Sequence, residues 1–148
     1  MRRVALLTVV FVAAWSLAPR AQGDGGYRLV PNWPTLPAGM YVGLTDQPGI
    51  SGLAISQDDL IYVFNRGPKP VMVFNPEGQM VMAGADQEIN GKAINPSWQH
   101  SGTVDWEGNV YIIERDAHRI VKLSPKLDRF LMQIGTTMEK GNGPKHLD

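Results

Sequence analysis

Two segments of this chain decide its fold: Gly52–Gly67, GLAISQDDLIYVFNRG, and His100–Leu123, HSGTVDWEGNVYIIERDAHRIVKL. Each passes through an acidic turn into a run of β-branched and aromatic residues, Leu60–Phe64 in the first and Val110–Ile113 in the second. Short runs of this composition between turn-forming residues predict β-strands. No window keeps the 3.6-residue apolar period of a helix, so we expect little helix.

The two segments belong to one repeated unit, because landmark residues recur in the same order at a nearly constant spacing. Three pairs lie 49 residues apart and a fourth lies 51 apart: Tyr62 and Tyr111, Arg66 and Arg115, Pro76 and Pro125, and then Gly84 and Gly135. A turn two residues longer in the second unit would account for the difference. A period of about 40–50 residues with four strands per unit is typical of β-propeller blades. The predicted fold class is therefore all-β, with two four-stranded antiparallel blades of a partial propeller at residues 52–84 and 102–135.

Blades need neighbours, since each buries its faces against the next one. Two units followed by Gly143–Asp148, which has the composition of a loop into another blade, predict a fragment of a longer propeller. A two-blade module that closes by oligomerising is the alternative. The predicted organisation is a signal peptide at residues 1–23, an extended Gly- and Pro-rich lead-in at 24–49, and two blades with the start of a third at 50–148.

The first residues have the pattern of a secretory signal. Arg2 and Arg3 precede Val4–Trp15, which is apolar except for Thr8, and small residues suited to cleavage follow in Ala21–Gly23. Twelve residues are too few to cross a bilayer, which takes about 20. We therefore expect a secreted or periplasmic protein without a stable membrane span. An uncleaved N-terminal anchor is the alternative.

Composition excludes several classes of function. The 14 Lys and Arg residues balance the 14 Asp and Glu residues, so a nucleic-acid partner, which needs a basic surface, is not expected. The chain has no Cys, which excludes a disulfide scaffold, a thiolate zinc site and a cysteine nucleophile. Nucleotide-binding glycine motifs, the Gly-x-Ser-x-Gly nucleophile motif and the His-Glu-x-x-His zinc motif are also missing.

The two segments, together with Ile134–Asp148 (IGTTMEKGNGPKHLD), resemble NHL-repeat propellers and, more narrowly, bacterial relatives of peptidyl-α-hydroxyglycine α-amidating lyase. The resemblance covers roughly residues 30–148 and implies the first two blades of a six-bladed propeller. Such a lyase cleaves a peptidyl-α-hydroxyglycine into a peptide amide and glyoxylate. The resemblance further implies a zinc ion held by three His, a calcium ion on the propeller axis, and an Arg and a Tyr in the pocket.

Four positions match functional positions of that family. The resemblance implies that Arg66 is the pocket Arg, that His100 is the first zinc ligand, and that the backbone carbonyls of Leu53 and Gly102 meet calcium. The other zinc ligands and the Tyr belong to later blades, so the chain by itself is expected to be inactive. Where the family has Pro-His-Gly, this chain has Gln-His-Ser at residues 99–101. A non-enzymatic binding propeller, with a peptide or small molecule in its channel and the remaining blades as partners, is the alternative.

The chemistry of the residues leaves two interpretations for each side chain. A neutral imidazole at His100 suits zinc, or it hydrogen-bonds to backbone at a strand edge. The Arg66 guanidinium suits a carboxylate, or it serves the repeat as Arg115 does. If the site is functional, the side chains of Arg66, in the loop after its strand, and His100, just before its strand, should point into the same cavity at one end of the channel. Trp33 is predicted to pin the lead-in, and Asp105 to accept backbone N–H groups in a turn.

Overall fold

The described part of the chain is almost entirely β-structure. The computed structural model describes residues 26–43, 49–85, 88–95 and 98–141, so the predicted signal peptide and His146 lie outside the described residues. The chain divides into two units, Met1–Pro31 and Asn32–Asp148. Residues 26–31 of the first unit have no strand or helix, and every strand belongs to the second unit.

Two four-stranded antiparallel sheets, each with its strands in chain order, confirm the all-β prediction. The strands of the first sheet are β1 (Ile50–Ile55), β2 (Ile61–Asn65), β3 (Val71–Phe74) and β4 (Met80–Gly84). Those of the second are β5 (Gln99–Val104), β6 (Val110–Glu114), β7 (Arg119–Leu123) and β8 (Phe130–Ile134). Within the described ranges helical structure is limited to the 3-10 turn Arg115–Ala117 and residue Trp98, as expected from the missing helical period.

The strand registers of the two sheets confirm the 49-residue spacing. Tyr62 pairs with Ala54 on β1 and with Val73 on β3. Tyr111 pairs with the residues 49 positions further on, Thr103 and Lys122. Arg66 and Arg115 likewise follow β2 and β6 directly.

The predicted equivalence of Gly84 with Gly135 is wrong. Gly84 pairs with Val71, and the residue that pairs with the equivalent Ile120 is Ile134. The spacing has therefore grown from 49 to 50 residues, because the turn before β8 is one residue longer than its counterpart, not two.

Left-handed backbone conformations occur at equivalent positions of the two sheets even where the residue types differ. Positive φ angles recur in the β1–β2 and β5–β6 turns, in the β3–β4 and β7–β8 turns, and after the last strand of each sheet, at Asp59 and Gly108, Gly78 and Leu127, and Ala85 and Gly135. Only Gly adopts this conformation without steric cost. The fold keeps each turn shape even where one member of the pair is not Gly.

The core lies between the two sheets. One face of the first sheet contributes Tyr62, Phe64, Val71 and Val73, which are buried against one face of the second sheet formed by Val110, Ile112, Val121 and Leu123. Burial of each such side chain contributes about 1.5–3 kcal/mol, so this interface is the main stabilising contact of the described residues. The glycines Gly52 and Gly102 let the first strands approach, since a Cβ on Gly52 would lie 3.0 Å from Ser101 Oγ.

The lead-in covers the opposite face of the first sheet, as predicted for Trp33. Its indole ring packs on Phe74 with the ring centres 5.9 Å apart, and Nε1 donates to the Pro76 carbonyl at 3.2 Å. The Thr35 N–H also donates to the Gly78 carbonyl at 2.9 Å. A side chain at Gly78 would collide with the indole, so this turn and Trp33 fit together as one contact.

The outer face of the second sheet is only partly covered. Ile113, Met132 and Ile134 lie on this face and are 37–45% exposed. Tyr111 is half-buried there, whereas its counterpart Tyr62 is buried, so these two equivalent tyrosines differ in environment. The reason is tertiary, because the second sheet covers Tyr62 and no described sheet covers Tyr111.

Asp105 closes the β5–β6 turn as predicted. Its Oδ1 accepts the N–H groups of Glu107 at 3.0 Å and Asn109 at 2.8 Å, and Lys122 Nζ lies 3.1 Å from Oδ2. Desolvation raises the pKa of Asp105, but the hydrogen bonds from Asn109 and Lys122 outweigh it and lower the pKa to about 2. The carboxylate therefore stays ionised and ties two strands to the turn.

Candidate functional site

Arg66 joins the two sheets at the end where β2 finishes and β5 begins. Its backbone N–H donates to the Gly49 carbonyl at 2.8 Å, which fixes the residue directly after β2. Its side-chain Nε donates to the Gln99 carbonyl at 3.0 Å. The guanidinium is therefore held beside the first residue of β5, and its two terminal nitrogens make no hydrogen bond to the described residues.

His100 lies within β5, one residue from that contact, and not before the strand as predicted. The register shifts between Gln99 and Ser101, which places His100 on a β-bulge with no partner on β6. Bulges re-aim side chains and occur near functional sites. The imidazole is exposed and has no hydrogen bond to any described residue. The alternative prediction, a His that hydrogen-bonds to backbone at the strand edge, is therefore not observed among the described residues.

The equivalent bulge in the first sheet shows what is particular to His100. The register of β1 shifts between Ile50 and Gly52, leaving Ser51 in the place of His100. Ser51 Oγ donates to the Phe64 carbonyl at 3.2 Å and so has a partner within its own sheet. The same β-bulge carries a hydrogen-bonded hydroxyl, that of Ser51, in the first sheet. In the second sheet it carries the His100 imidazole, which has no hydrogen bond to the described residues.

Arg115 and Asp116 extend the site from the 3-10 turn after β6. Arg115 Nε and Nη2 contact the two carboxylate oxygens of Asp116 at 2.7 and 3.1 Å. The hydrogen bond from Arg115 lowers the pKa of Asp116, and the charges of Arg115, Arg66 and His100 lower it further. Arg66 contacts the Gln99 carbonyl next to His100, so the two residues lie at one end of the sheet pair as predicted. His100 lines a cavity at this end but Arg66 is not among its lining residues, so the predicted shared cavity is not seen there.

A cavity of about 250 Å³ adjoins His100. Its lining includes Ile113, Arg115, His118 and Ile120, on the partly exposed side of the second sheet. His118 ends the 3-10 turn in a left-handed conformation and its Nδ1 is buried without a hydrogen-bond partner. Both guanidinium groups at this cavity are paired with carboxylates, Arg115 with Asp116 and Arg119 with Glu114. Its apolar walls and the imidazoles of His100 and His118 are therefore the groups that it offers to a ligand.

A buried ion pair, which the sequence analysis missed, lies beneath this end of the second sheet. Glu114 is fully buried and Arg119 nearly so, and their side chains form a salt bridge. Glu114 Oε1 accepts the Asn95 N–H at 2.9 Å, while Arg119 donates to the Ala93 carbonyl and to Thr137 Oγ1. The pair thereby fixes the segments before β5 and after β8. The spacing of opposite charges across a short loop, residues 114 and 119, was the signal available in the sequence.

The first sheet uses Asn65 for the same purpose. Asn65 is equivalent to Glu114 and fully buried. Its Oδ1 accepts the N–H groups of Gly67 at 2.7 Å and Gly43 at 3.3 Å, and its Nδ2 donates to the Lys69 carbonyl at 2.7 Å. The runs predicted to form strands, Leu60–Phe64 and Val110–Ile113, stop one residue short of Asn65 and Glu114. In the structure each of these two residues ends its strand, because its side chain anchors the incoming segment.

Leu53 and Gly102, the predicted calcium positions, lie on β1 and β5 as expected. The two strands are neighbours, since a Cβ on Gly52 would lie 3.4 Å from the Gly102 nitrogen. The Leu53 side chain is 63% exposed. A Cβ on Gly102 would meet the ring of Phe64 at 2.2 Å, so this glycine is required by packing whatever else it does.

Gln99 places an unusual group under the site. Its side chain is fully buried, yet neither Oε1 nor Nε2 has a hydrogen-bond partner among the described residues. Most buried polar groups are hydrogen-bonded, so each exception is informative about local strain or function. The sequence drew attention to Gln99 only as a departure from Pro-His-Gly.

The comparisons with known proteins identify no family, so a function has to be inferred from the geometry of the site. No protein-family model matches the chain, and no curated protein matches it in sequence. The described residues contain no group of three or more His, Asp or Glu side chains placed to hold a metal ion. In the same ranges no helix has the length and apolarity to span a membrane.

Proposed function

We propose that the chain forms two neighbouring blades of an NHL-type β-propeller and that its Arg66–His100 end binds the carboxylate of a peptide-type ligand. The blade assignment is supported by the matching registers and by the approach of Gly52 to Ser101, which are equivalent residues of β1 and β5. Equivalent first strands lie side by side when blades surround a common axis. A secreted or periplasmic location remains part of the proposal and rests on the sequence of residues 1–23.

One observation carries the binding proposal: Arg66 is held by its Nε at Gln99, next to His100 in the chain, and its terminal nitrogens make no hydrogen bond to the described residues. A guanidinium presented in this way can bind a carboxylate through two parallel hydrogen bonds. Arg115 cannot do the same, because Asp116 already occupies it. The two arginines are equivalent in the repeat, but only Arg66 is available to a ligand.

The lyase resemblance gives this proposal its enzymatic form. A catalytic zinc takes three protein ligands and one open position. The described residues match one of these ligands, His100, and do not assemble a metal group, so they do not form a zinc centre by themselves. Calcium at the carbonyls of Leu53 and Gly102 is likewise proposed from the resemblance. The contribution proposed for this chain is therefore to anchor the ligand through Arg66, and it is not expected to catalyse the cleavage alone.

A pair of matched peptides tests the binding step. N-acetylphenylalanylglycine, titrated into the full chain and followed by NMR, should bind more tightly than its C-terminal amide by about tenfold or more, the size of a charge-assisted hydrogen-bond pair. Arg66→Gln should remove this preference. Arg129→Gln, which removes an exposed guanidinium elsewhere, should retain it. A preference that survives in Arg66→Gln contradicts the proposal.

A second assay separates the enzymatic form from a binding propeller. The full chain with added zinc is incubated with a peptidyl-α-hydroxyglycine, and glyoxylate is measured. We expect no release above the buffer rate, because the described residues match one of the three zinc ligands. Release that is lost in His100→Ala would favour a complete lyase and show that the expectation of inactivity is wrong.

A further inference from the structure

A second cavity lies between the two sheets at the end opposite Arg66. The β1–β2 turn, residues 56–60, and the β5–β6 turn, residues 105–108, form its sides, together with Tyr62, Met82 and Pro125. Its volume is about 370 Å³, within the range of small-molecule sites. Neither the repeat motif nor the resemblance assigns a role to this space.

Tyr62 presents an unpartnered hydroxyl to this cavity. The residue is only 4% exposed and lines the cavity, but its hydroxyl makes no hydrogen bond within the described residues. In the second sheet the equivalent hydroxyl of Tyr111 donates to Asp105 Oδ2 at 3.2 Å. The first sheet has Ser56 in the place of Asp105, and its hydroxyl accepts the Leu60 N–H instead. The Tyr62 ring is therefore buried while its hydroxyl faces the cavity, where a polar group of a ligand could hydrogen-bond to it.

The charge of the cavity is negative. Asp58, Asp105 and Glu107 line it, and no Lys or Arg is among its lining residues. Lys122 neutralises Asp105 from the sheet. Asp58 has no hydrogen-bond or ion-pair partner among the described residues, and Glu107 accepts one hydrogen bond, from Asn109 Nδ2 at 2.9 Å. Two carboxylates thus remain without a cation. Burial raises the pKa of Tyr62 and the charge of Asp58 raises it further. The hydroxyl therefore stays neutral, and its oxygen can accept a hydrogen bond from a ligand.

Apolar surface accompanies this charge. Trp106 is 75% exposed at the cavity, although exposing a large aromatic ring to water is unfavourable. Leu60 and Met82 supply further apolar lining. An indole face beside carboxylates binds organic cations, because the ring attracts the charge and the apolar stem of the ligand covers the ring.

We propose that this cavity binds an ammonium or guanidinium group carried on an apolar stem, as in a lysine or arginine side chain or a free alkylamine. Asp58 and Glu107 supply the opposite charge, Trp106 covers the stem, and the Tyr62 hydroxyl accepts one N–H of the cation. The site is independent of the carboxylate site at the other end. Together the two would fit a peptide-like ligand or partner carrying both charges, but each can be tested alone.

The test compares a cation with its neutral analogue on the unmodified full chain. Nα-acetyl-lysine methylamide and Nα-acetyl-norleucine methylamide differ only in the ammonium group, and binding is followed by NMR and by Trp fluorescence. The lysine derivative should bind at least about five-fold more tightly and weaken as salt is added. Butylamine provides the free-amine arm: equal binding identifies the ammonium and stem as the whole ligand, and tighter binding of the lysine derivative identifies a peptide side chain.

Substitutions locate the site. Asp58→Asn and Glu107→Gln should each weaken binding of the lysine derivative by about two- to five-fold, and Trp106→Ala by a similar factor. Tyr62→Phe should also weaken it without loss of stability, because the hydroxyl has no hydrogen-bond partner among the described residues. Glu139→Gln, an exposed carboxylate outside the cavity, is the control. Equal binding of the norleucine derivative, absence of binding by either compound, or unchanged binding in Asp58→Asn together with Glu107→Gln overturns the proposal.

Discussion

At the scale of single residues, two buried side-chain amides have opposite effects on stability. Asn65 and Gln99 are both fully buried side-chain amides near the Arg66 end of the sheets. Asn65 makes three hydrogen bonds that fix the backbone around it, whereas the Gln99 side chain makes none with the part of the chain that the structure describes. The burial of the Gln99 amide therefore lowers the free energy of unfolding, and this cost falls on the residue directly before His100.

We predict opposite effects for apolar substitution of these two amides. Gln99→Met, which is similar in size, should leave the free energy of unfolding unchanged or raise it by about 1–3 kcal/mol, because an unsatisfied amide is removed. Asn65→Leu should lower it by a similar amount or more, because it leaves two N–H groups and a carbonyl without their partner. Urea unfolding followed by Trp fluorescence measures both. A destabilised Gln99→Met would show that this amide has a partner when the protein is in solution.

At the scale of elements, each sheet attaches its incoming segment through the last residue of its second strand. Asn65 accepts the N–H of Gly43, and its equivalent Glu114 accepts that of Asn95. The second sheet adds a charge, which Arg119 balances inside the protein. A buried charge that loses its partner is strongly destabilising, so the Glu114–Arg119 pair holds the segment before β5, and thereby the start of the strand that carries His100.

Glu114→Gln should lower the free energy of unfolding by about 3–5 kcal/mol, the usual cost of leaving one member of a buried ion pair uncompensated. Hydrogen exchange should accelerate at the Asn95 amide, which Glu114 accepts. Arg115→Gln, which breaks an ion pair of two exposed side chains, should leave the free energy of unfolding nearly unchanged. Similar losses in the two variants would mean that the buried pair is not what anchors this segment.

At the scale of the whole molecule, the two sheets differ in how fully they are covered. The inward face of the first sheet is buried by the second, and its other face packs on the lead-in around Trp33. The outer face of the second sheet leaves Ile113 on β6 and Met132 and Ile134 on β8 partly exposed. Contiguous apolar surface of this kind favours association.

We expect the full chain to self-associate through this outer face. Sedimentation velocity over a range of concentrations should show an average mass that rises with concentration. Ile134→Lys should shift the distribution towards monomer by placing a charge on the face. Val81→Lys, at an exposed apolar position of the first sheet, should not. A chain that stays monomeric at high concentration and unfolds in one sharp thermal transition would contradict this expectation.

The sequence by itself determined the local structure. Runs such as Leu60–Phe64 and Val110–Ile113 predict strands because β-branched and aromatic side chains suit a pleated sheet, and the 49-residue spacing predicts two equivalent sheets. The Asp105 turn was predictable for the same reason, since its hydrogen bonds are made within a few residues. The common end of Arg66 and His100 followed from strand order, because loops after β2 and residues at the start of β5 meet at one edge.

Only the tertiary structure decided which equivalent residues differ in environment. Tyr62 and Tyr111 are indistinguishable in the sequence pattern, yet one is buried with a free hydroxyl and the other is half-buried and bonded to Asp105. The ends of β2 and β6 extend to Asn65 and Glu114 because of partners that are distant along the chain. Burial, charge pairing and the opening of a cavity depend on which surfaces meet across the two sheets. A repeat that specifies each sheet separately does not contain that information.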